Sequence, residues 1–492
     1  VISNGTAVLG LGDIGAEASK PVMEGKGLLF KIFADINVFD IEINEKDPDK
    51  FIEIVKGISP TFGGINLEDI KAPEAFYIEQ RLKEELNIPL MHDDQHGTAI
   101  ISAAALINAL ELADKKIDEV KMVVNGAGAA AIACTKLYIA LGLKKENVLM
   151  CDSKGVINHK RENLTPEKLD FIAQTDISTL EQALEGADVF VGLSKGDVMT
   201  AKMLSSMAEN PVVFALANPT PEIDYNLAIA TRPDVIMATG RSDFPNQVNN
   251  VLGFPYIFRG ALDVQATGIN EEMKLAAVKA IAELAKEPVP EMVKLAYNVK
   301  NIGFGREYFI PKPFDNRLLT KVSIAVAKAA MESGISRKPI ADFEEYENQL
   351  LDRMGRDEKL IRMMQNRARS NPKRVTLGNA EEYNVLKAAQ ILYEEGIAHP
   401  ILLGEKKFIK EQMEKFGIHL DVPIVDPMDD DQDENRKKYR ETLWRLRNRK
   451  GVNEYIAKRL VRQRDYFGPL MLKHGDTDAL IVGYSKNYRT VL

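Results

Sequence analysis

The fold of this chain is decided by the stretch VKMVVNGAGAAAIACTKLYIALGLKKENVLMCD, residues 120–152. Its mostly apolar ends, at 120–124 and 147–151, predict two strands, and residues 129–141 between them predict a helix. The alternation continues downstream, with strand patterns at 188–193, 211–217 and 234–239 and a helical pattern at 200–209. Further helical patterns run from Thr98 to about Ala113, over 271–286 and over 317–333. Strands separated by helices of this length form parallel βαβ units with both sheet faces covered. The sequence therefore predicts an α/β fold with a doubly wound parallel sheet.

Two glycine motifs match the pattern that lets a backbone approach a dinucleotide pyrophosphate. The first, GLGDIG at residues 10–15, has all three glycines, but Pro21 follows closely and should break any helix there. The second, GAGAAA at residues 126–131, leads into a clean helical pattern and then a strand that ends in an acid. We therefore interpret the first motif as a tight structural turn. The second predicts a nicotinamide cofactor site in a Rossmann-type domain, formed by Gly126, Gly128, Ala129, Ala130, Ala131 and Asp152.

The residues that follow the strand predicted at 147–151 indicate which nicotinamide cofactor is bound. Asp152 can accept hydrogen bonds from ribose hydroxyls, and Ser153 and Lys154 follow it directly. A cation at this position can meet a 2′-phosphate, which favours NADP over NAD. A lysine after a strand is often simply solvated, so NAD stays the alternative cofactor.

Four carboxylates stand in two short acidic stretches, Glu-Asp at residues 68–69 and Asp-Asp at residues 93–94. Carboxylates crowded into one site repel one another unless a cation offsets their charge. Mg²⁺ or Mn²⁺, which take oxygen ligands, would supply that charge, whereas two solvated acidic loops are the simpler alternative. The spacing of His92 and His96 also fits zinc, but the nearby candidate ligands are mostly oxygens, which disfavours it.

Composition narrows the class of protein. The 492 residues are 45% hydrophobic and 28% charged, an ordinary balance for a soluble globular protein of several domains. A net charge of −8 gives no support for nucleic-acid binding. The only cysteines, Cys134 and Cys151, exclude a disulfide framework and favour a reducing cytoplasm. No apolar run predicts a membrane span or a signal peptide. Because the chain opens at Val1 rather than Met, we expect that an N-terminal portion is missing.

The α/β pattern restarts after Asn371-Pro372. RVTLG at 374–378 and HPILLG at 399–404 predict strands around a helix at 380–396. The sequence thus predicts a first α/β domain at 1–97 and a Rossmann domain at 98–341. A linker helix at 342–371 and a second α/β domain at 372–492 follow.

Long motifs in the chain carry a resemblance to a known family. They are VISNGTAVLGLGDIG (1–15), KPVMEGKG (20–27), FGGINLEDIKAPE (62–74), HDDQHGTAI (92–100), NGAGAAAIA (125–133), CDSKG (151–155), ALANPTPE (215–222) and GRSDFPNQVNNVLGFPYIF (240–258). Over residues 1 to about 341 the chain resembles bacterial malic enzyme. From about 372 it resembles the start of a phosphotransacetylase domain, as in the large fused NADP-dependent malic enzymes.

The resemblance implies a reaction and roles for particular residues. Family members oxidise (S)-malate at C2, decarboxylate the bound oxaloacetate to pyruvate and reduce NADP. The family's divalent metal ligands fall here on Glu68, Asp69 and Asp94. Its general base and the aspartate beside that base fall on Lys26 and Asp93. A lysine base must lose its proton, so its pKa is expected to fall, through burial or a nearby positive charge such as the metal. The family's substrate asparagines match Asn218 and Asn250, and Asn218 is also expected near the cofactor.

Two departures from the family pattern accompany the match. The family's general-acid tyrosine would precede Val1, so the N-terminal domain is expected to be incomplete. An arginine that grips a substrate carboxylate in the larger enzymes is replaced by Ala7.

The C-terminal domain is expected to be truncated, because the chain stops before the region where phosphotransacetylases keep their catalytic residues. The resemblance implies a regulatory role for this domain, with inhibition by acetyl-CoA, and assembly into a dimer or higher homo-oligomer. The basic residues from Arg436 to Lys450 could face CoA phosphates, although a solvated helix is the simpler reading.

Two other classes of function stay open. A metal-independent nicotinamide dehydrogenase, for example of amino acids, would need no divalent ion. A non-catalytic acetyl-CoA sensor would bind ligands without producing NADPH.

Overall fold

A computed structural model describes residues 1–297, 302–394, 396–416, 418 and 420–484, and the chain divides into two compact units, Val1–Gly355 and Arg356–Leu492. Its strands are β1 Ile2–Ser3, β2 Ile41–Glu42, β3 Ile65–Leu67, β4 Leu90–His92, β5 Met122–Asn125, β6 Val148–Asp152, β7 Gly155–Val156, β8 Val189–Gly192, β9 Val212–Ala215, β10 Ile236–Thr239, β11 Lys373–Gly378, β12 Ala398–Leu403, β13 Ile424–Val425 and β14 Ala479–Ile481. Its α-helices are α1 Ala16–Ala34, α2 Pro48–Ile58, α3 Glu74–Glu85, α4 Asp93–Leu112, α5 Ala129–Ala140, α6 Pro166–Leu169, α7 Leu180–Leu184, α8 Ala201–Ser205, α9 Tyr225–Thr231, α10 Phe254–Asp263, α11 Glu271–Lys286, α12 Glu291–Ala296, α13 Arg317–Glu332, α14 Phe343–Arg369, α15 Tyr383–Glu394, α16 Lys406–Phe416, α17 Asp433–Arg447, α18 Glu454–Leu460 and α19 Arg464–His474. None of the helices in these described ranges is both long and apolar enough to cross a bilayer.

The first unit begins with a small parallel sheet in the order β2-β1-β3-β4. Apolar residues of its strands pack on α2 and α3, with Phe51, Val55 and Leu82 among the fully buried side chains. Because β3 and β4 are parallel neighbours, their carboxyl ends meet at one edge of the sheet. That edge carries both acidic stretches.

Helix α1 corrects the expectation drawn from Pro21. The helix continues past this proline from Ala16 to Ala34. A proline inside a helix costs about 3 kcal/mol, but the same helix buries Met23 and Phe30. Burial of each large apolar side chain contributes about 1.5–3 kcal/mol. Tertiary packing therefore outweighs the local preference.

The larger sheet of the first unit has the order β10-β9-β8-β5-β6-β7, parallel except for the short β7. Successive strand residues face opposite layers: Val124 joins the core with α4 and α11, while Val123 joins the core on the other face. The predicted α/β fold with a Rossmann-type, doubly wound sheet is confirmed.

Two helix boundaries differ from those predicted. The helix expected from Thr98 begins at Asp93, because the two aspartates in its first turn favour the positive end of the helix dipole. The helix expected at 200–209 covers only Ala201–Ser205 and leads through a turn to β9. By contrast, α11 has the predicted bounds 271–286.

The second unit contains a parallel sheet in the order β13-β12-β11-β14. Leu402 packs with α15 and α16 on one face, and Leu403 packs with α17 and α19 on the other. The predicted helix at 380–396 is observed as α15, while residue 395 lies outside the described residues. The predicted domain boundaries stay predictions, and the division between the two units falls inside α14.

Candidate active site

The two acidic stretches lie together at the carboxyl ends of β3 and β4. Glu68 and Asp69 follow β3, and Asp93 and Asp94 open α4 directly after β4. The backbone N–H of Asp69 donates to Asp94 Oδ2 at 2.7 Å, which ties the two stretches together. Asn66 Nδ2 donates to Glu68 Oε2 at 2.7 Å and fixes that carboxylate.

Helix α1 places one ammonium group among these carboxylates. Lys26 Nζ donates to Glu68 Oε1 at 3.0 Å and to Asp93 Oδ2. The same nitrogen lies 3.9 Å from the ring centroid of Phe254. The side chains of Lys26 and Glu68 are each 10% exposed and that of Asp93 is fully buried. The predicted base is therefore held inside the acidic cluster.

The charges in this cluster do not balance. Burial, together with Asp94 and Glu68, raises the pKa of Asp69 to about 9. Burial raises the pKa of Glu68 to about 7, although Lys26 opposes the shift. Desolvation in the cleft and the charge of Asp93 raise the pKa of Asp94 to about 6, again against Lys26. Four carboxylates thus face one ammonium group.

The carboxylates around the lysine decide the direction in which its pKa is shifted. Burial, the largest effect, disfavours its charge, but Asp93 and Glu68 more than offset burial and raise the pKa of Lys26. The predicted fall in the pKa of Lys26, through burial or the positive charge of a metal ion, stays a prediction for the metal-bound site.

The chemistry of the cluster fits a divalent cation. Its donors are carboxylate oxygens, which Mg²⁺ and Mn²⁺ prefer, and its excess negative charge calls for a cation. Asp93 Oδ1 is buried without a hydrogen-bond partner. In the described part of the chain no three His, Cys, Asp or Glu side chains are already arranged as a metal cage. Side-chain adjustment would accompany binding.

Asn250 joins the same cluster from a short turn, Asn250–Leu252, that packs against α4. Its Nδ2 donates to Asp93 Oδ2 at 3.1 Å, and its Oδ1 accepts from Thr98 Oγ1 at 3.1 Å. Gly97 makes this approach feasible, because a Cβ there would lie 2.9 Å from Asn250 Nδ2 and 2.1 Å from Asp93 Oδ1. The predicted substrate asparagine therefore contacts the aspartate that contacts the lysine.

The first glycine motif supports the cluster as a turn. Gly10, Gly12 and Gly15 all have positive φ, and Val8 and Gly12 exchange backbone hydrogen bonds across the turn. The backbone N–H of Ala7, just before this turn, donates to the backbone carbonyl of Asp69 at 2.9 Å, and the backbone of Leu9 opposes the rise in the pKa of the Asp69 carboxyl. The predicted turn is observed, and its contact with the acidic cluster was missed by sequence reasoning.

The second glycine motif forms an open turn between β5 and α5. Gly126 has φ of 136°, and a Cβ on it would lie 2.7 Å from the carbonyl oxygen of Leu193. Gly128 precedes the first helical residue, and nothing stands within 4 Å of a Cβ built on it. The first turn, which begins at Ala129, contains no acidic residue. This helix N-terminus can therefore accept a phosphate group.

Asp152 has partners that its predicted role did not include. It ends β6, and Arg161 contacts both of its oxygens, at 3.1 and 2.9 Å. Lys168 Nζ and the backbone N–H of Lys154 donate to it at 3.1 and 2.9 Å. Although burial opposes the shift, Arg161, Lys154 and Lys168 lower its pKa to about 2. Its carboxylate is therefore engaged by cations in this structure, and ribose binding through it stays a prediction.

Asn218 lies at the same edge of the larger sheet, after β9. Its Nδ2 donates to Leu216 O at 3.3 Å, and Gly240 leaves it room, since a Cβ there would lie 2.6 Å from that nitrogen. Sequence reasoning missed Glu222, which is fully buried beneath this loop. Its carboxylate accepts from the backbone N–H groups of Ser194 and Ala217, at 3.3 and 3.1 Å.

The described contacts thus divide the predicted site residues into groups. One cluster joins Lys26, Glu68, Asp69, Asp93, Asp94 and Asn250. The remaining predicted residues lie at the carboxyl ends of strands in the larger sheet: Gly126, Gly128, Ala129, Ala130, Ala131, Asp152, Ser153, Lys154 and Asn218. In α/β sheets this edge is where ligands bind.

Family models match three parts of the chain. Residues 1–83 match "Malic enzyme, N-terminal domain", residues 95–303 match "Malic enzyme, NAD binding domain", and residues 359–492 match "Phosphate acetyl/butaryl transferase".

Relatives that cover most of the chain carry malic enzyme names. The chain is 53% identical over 492 residues to an NADP-dependent malic enzyme of Escherichia coli K12, covering 99% of this chain and 65% of that protein. It is 48% identical over 502 residues to an NAD-dependent malic enzyme of Rhizobium meliloti, covering 100% of this chain and 65% of that protein. An NADP-dependent malic enzyme of Halomonas elongata is 60% identical over 339 residues, which cover 69% of this chain and 80% of the relative. The chain spans about 65% of the length of the relatives that match it from end to end.

Solved structures agree with these matches. The malic enzyme of Pyrococcus horikoshii superposes with a TM-score of 0.68 at 40% sequence identity, covering 74% of this chain and 83% of that one. An NAD-dependent malic enzyme of Thermotoga maritima superposes with a TM-score of 0.60 at 47% identity, covering 66% of this chain and 82% of that one.

Proposed function

Because this chain belongs to the malic enzyme family, we propose that it oxidises (S)-malate with NADP and decarboxylates the product to pyruvate and CO₂, with a divalent metal. The observation that carries the proposal is the cluster of four carboxylates around Lys26, of which Glu68, Asp69 and Asp93 are buried and Asp94 is partly exposed. A dehydrogenase that needed no metal would have no use for that surplus of negative charge.

Glu68, Asp69 and Asp94 would hold the metal, Mg²⁺ or Mn²⁺. When bound, such an ion polarises the C2 oxygen of malate and stabilises the negative charge that develops as CO₂ leaves. A metal ion held by these three carboxylates would lie close to Lys26, because Glu68 accepts a hydrogen bond from Lys26 Nζ and interacts electrostatically with Asp94.

Lys26 would remove the proton from the C2 hydroxyl of malate. It can do so only in its neutral form, and the carboxylates of Glu68 and Asp93 now hold its proton in place. Neutralising part of that negative charge lowers the pKa of the lysine toward the range of a useful base. Asp93 orients Nζ, and Asn250 in turn orients Asp93 through its amide.

Substrate carboxylates would be met by amide donors. Asn218 Nδ2 and Asn250 Nδ2 can donate to carboxylate oxygens without adding charge to the site. Glu222 acts beneath them by holding the backbone of Ala217, the residue before Asn218, in place. Malate and pyruvate are accordingly the proposed partners.

The whole proposal is tested by following the reduced cofactor spectroscopically with malate, Mn²⁺ and NADP. We expect turnover that EDTA abolishes and added Mn²⁺ restores. Turnover that survives EDTA would favour a metal-independent dehydrogenase. Ligand binding without any reduced cofactor, also from the longer protein that the relatives represent, would favour a non-catalytic sensor.

The cations around Asp152 support NADP over NAD. The charged groups of Arg161 and Lys168 both pair with the carboxylate of Asp152, so the three side chains together carry a formal surplus of positive charge. A 2′-phosphate brings negative charge and acceptor oxygens that suit such a group. Sequence identity alone does not decide between NADP and NAD, because an NADP-dependent and an NAD-dependent relative match this chain to a similar degree.

Replacing Arg161 and Lys168 by alanine should raise the KM for NADP by about 10- to 100-fold, as expected for the loss of charge-assisted hydrogen bonds. The KM for NAD should change little, because NAD lacks the 2′-phosphate. Lys160→Ala is the matched control, since Lys160 pairs with Asp176 instead. Equal effects on both cofactors would contradict the assignment.

The second unit is proposed to bind acetyl-CoA and to inhibit malate oxidation. Its match to phosphate acetyl/butaryl transferases supports an acyl-CoA ligand. Of the basic run, Arg436 is buried and bonds to the carbonyl of Pro427 and to Asp433, so it has a structural role.

Titration with acetyl-CoA should lower the rate of malate oxidation progressively and to saturation. Free acetate and coenzyme A serve as controls for the separate parts of the ligand. A rate that acetyl-CoA leaves unchanged would remove this proposal.

The proposal also covers the cellular compartment and the oligomeric state of the protein. Cys134 and Cys151 are buried free thiols, which suits a reducing cytoplasm. A homo-oligomer, dimeric or larger, stays a prediction from the family resemblance.

A further inference from the structure

A cavity of about 210 Å³ lies beside the acidic cluster, on another side of α4. Its wall comes from α3, α4, α5 and α11. One part of the wall is apolar and includes Phe76, Ile132 and Leu137. The remainder carries the polar residues Gln95, His96, Lys136, Glu271 and Lys274. None of these polar residues has a role in the proposed reaction.

Gln95 provides a donor that has no acceptor. Its Nε2 is buried without a hydrogen-bond partner, and the residue is 3% exposed. A buried donor left unpaired costs about 1–3 kcal/mol. A ligand oxygen in the cavity would satisfy this amide.

Two lysines add positive charge to the same wall. Lys274 is 5% exposed, bonds to Glu271 and lies with Nζ 3.4 Å from His96 Nδ1. Lys136 is more open, and its nearest acidic partner, Asp170, is 4.0 Å away. An ammonium so weakly compensated can bind an anion that enters the cavity.

The combination of an apolar wall with cationic and amide donors selects a class of ligand. A carboxylate group would reach the donors, and a short aliphatic chain would cover Ile132 and Leu137. An inorganic anion would leave that apolar wall uncovered. The volume suits a small molecule rather than a peptide.

The position of the cavity suits an effector. Gln95 lies in the first turn of α4, next to Asp93 and Asp94. Ile132 and Lys136 lie on α5, whose first turn forms the proposed phosphate site. We propose that this cavity binds a small aliphatic carboxylate, and that its occupant changes the affinity of the protein for NADP.

Binding is tested with butyrate as the probe, by equilibrium dialysis of the labelled acid in the presence of saturating malate. We expect one saturable site in the unchanged protein. Lys136→Glu should weaken it about tenfold or more, as expected for the loss and reversal of a charge-assisted contact. Gln95→Leu should weaken it as well. Lys144→Glu is the matched control, because it makes the same charge change near α5. Lys144 pairs with Asp118 and does not line the cavity.

Coupling is tested by titrating NADP with and without saturating butyrate. We expect a change in NADP affinity of at least about threefold, within the range of ordinary coupling energies, and no change in Lys136→Glu. Absence of saturable butyrate binding, or equal binding by Lys136→Glu and Lys144→Glu, overturns the site. Binding that leaves NADP affinity unchanged overturns the effector role. Failure of the protein to bind NADP at all would instead count against the proposed function.

Discussion

Replacing Lys26 by methionine is expected to lower kcat for malate oxidation by about 10³-fold, the usual contribution of a general base. Methionine keeps most of the length and apolar volume of the side chain but cannot take the C2 hydroxyl proton. Because Lys26 Nζ contacts Glu68 and Asp93 and no other ammonium group is bonded to these two carboxylates in the described residues, we expect no neighbouring lysine to replace it. Steady-state kinetics at saturating malate, Mn²⁺ and NADP measure the effect.

A structural explanation of that loss has to be separated from a catalytic one. Lys31→Met is the matched control, because Lys31 lies on the same helix but pairs with Asp35 outside the cluster. NADP affinity should be unchanged in Lys26→Met, since the glycine turn after β5 belongs to a different part of the unit. A kcat within a few-fold of the unchanged protein would show that Lys26 is not the base.

Replacing Asp69 or Asp94 by asparagine should weaken Mn²⁺ binding by about 100-fold or more. Loss of groups that merely orient metal ligands already costs about 10- to 100-fold, and each of these substitutions removes a charge from the proposed ligand set. Turnover at limiting Mn²⁺ should fall by a similar factor. Direct titration of Mn²⁺, followed by its electron paramagnetic resonance signal, measures the affinity without relying on activity.

For the same two variants, a second prediction concerns the stability of the protein in the absence of metal. Because Glu68, Asp69 and Asp94 repel one another, removing one charge should leave the metal-free protein at least as stable as the unchanged protein. The gain in thermal stability on adding Mn²⁺ should be lost. Asp13→Asn serves as the control, since Asp13 pairs with Lys46 at the surface. Unaltered Mn²⁺ affinity in both cluster variants would overturn the assigned ligands.

The parallel-sheet architecture could be predicted from the sequence because it depends on local patterns. The strand, glycine turn and helix of residues 120–152 require only short-range periodicity, and α11 was bounded correctly by its polar cap and apolar spacing. The start of α4 was missed because no apolar periodicity marks Asp93 or Asp94. Their stabilising contribution in the first turn is electrostatic, and a pattern of apolar residues does not register it.

Contacts in the site were harder to predict where they depend on the path of the chain between elements. Arg161 and Lys168 reach Asp152 from 9 and 16 residues downstream, through a segment without a repeating pattern. Glu222 looked like an ordinary acid after a proline-rich turn, although it is buried and bonds to the backbones of two loops. The direction in which the surrounding carboxylates shift the pKa of Lys26 was not predicted for the same reason, since Glu68 follows β3 and Asp93 opens α4.

The turn at residues 10–15 has a consequence for anyone engineering this scaffold. It looks like a nucleotide-binding signature, yet the chain that leads into it donates from Ala7 N–H to the backbone carbonyl of Asp69 at 2.9 Å, and the backbone of Leu9 lowers the pKa of the Asp69 carboxyl against the effect of burial. A bulky or stiffening change at Gly10 or Gly12, which both have positive φ, would therefore displace the backbone that holds Asp69. Such a defect would show itself as poor retention of manganese during dialysis, while the dinucleotide still bound normally.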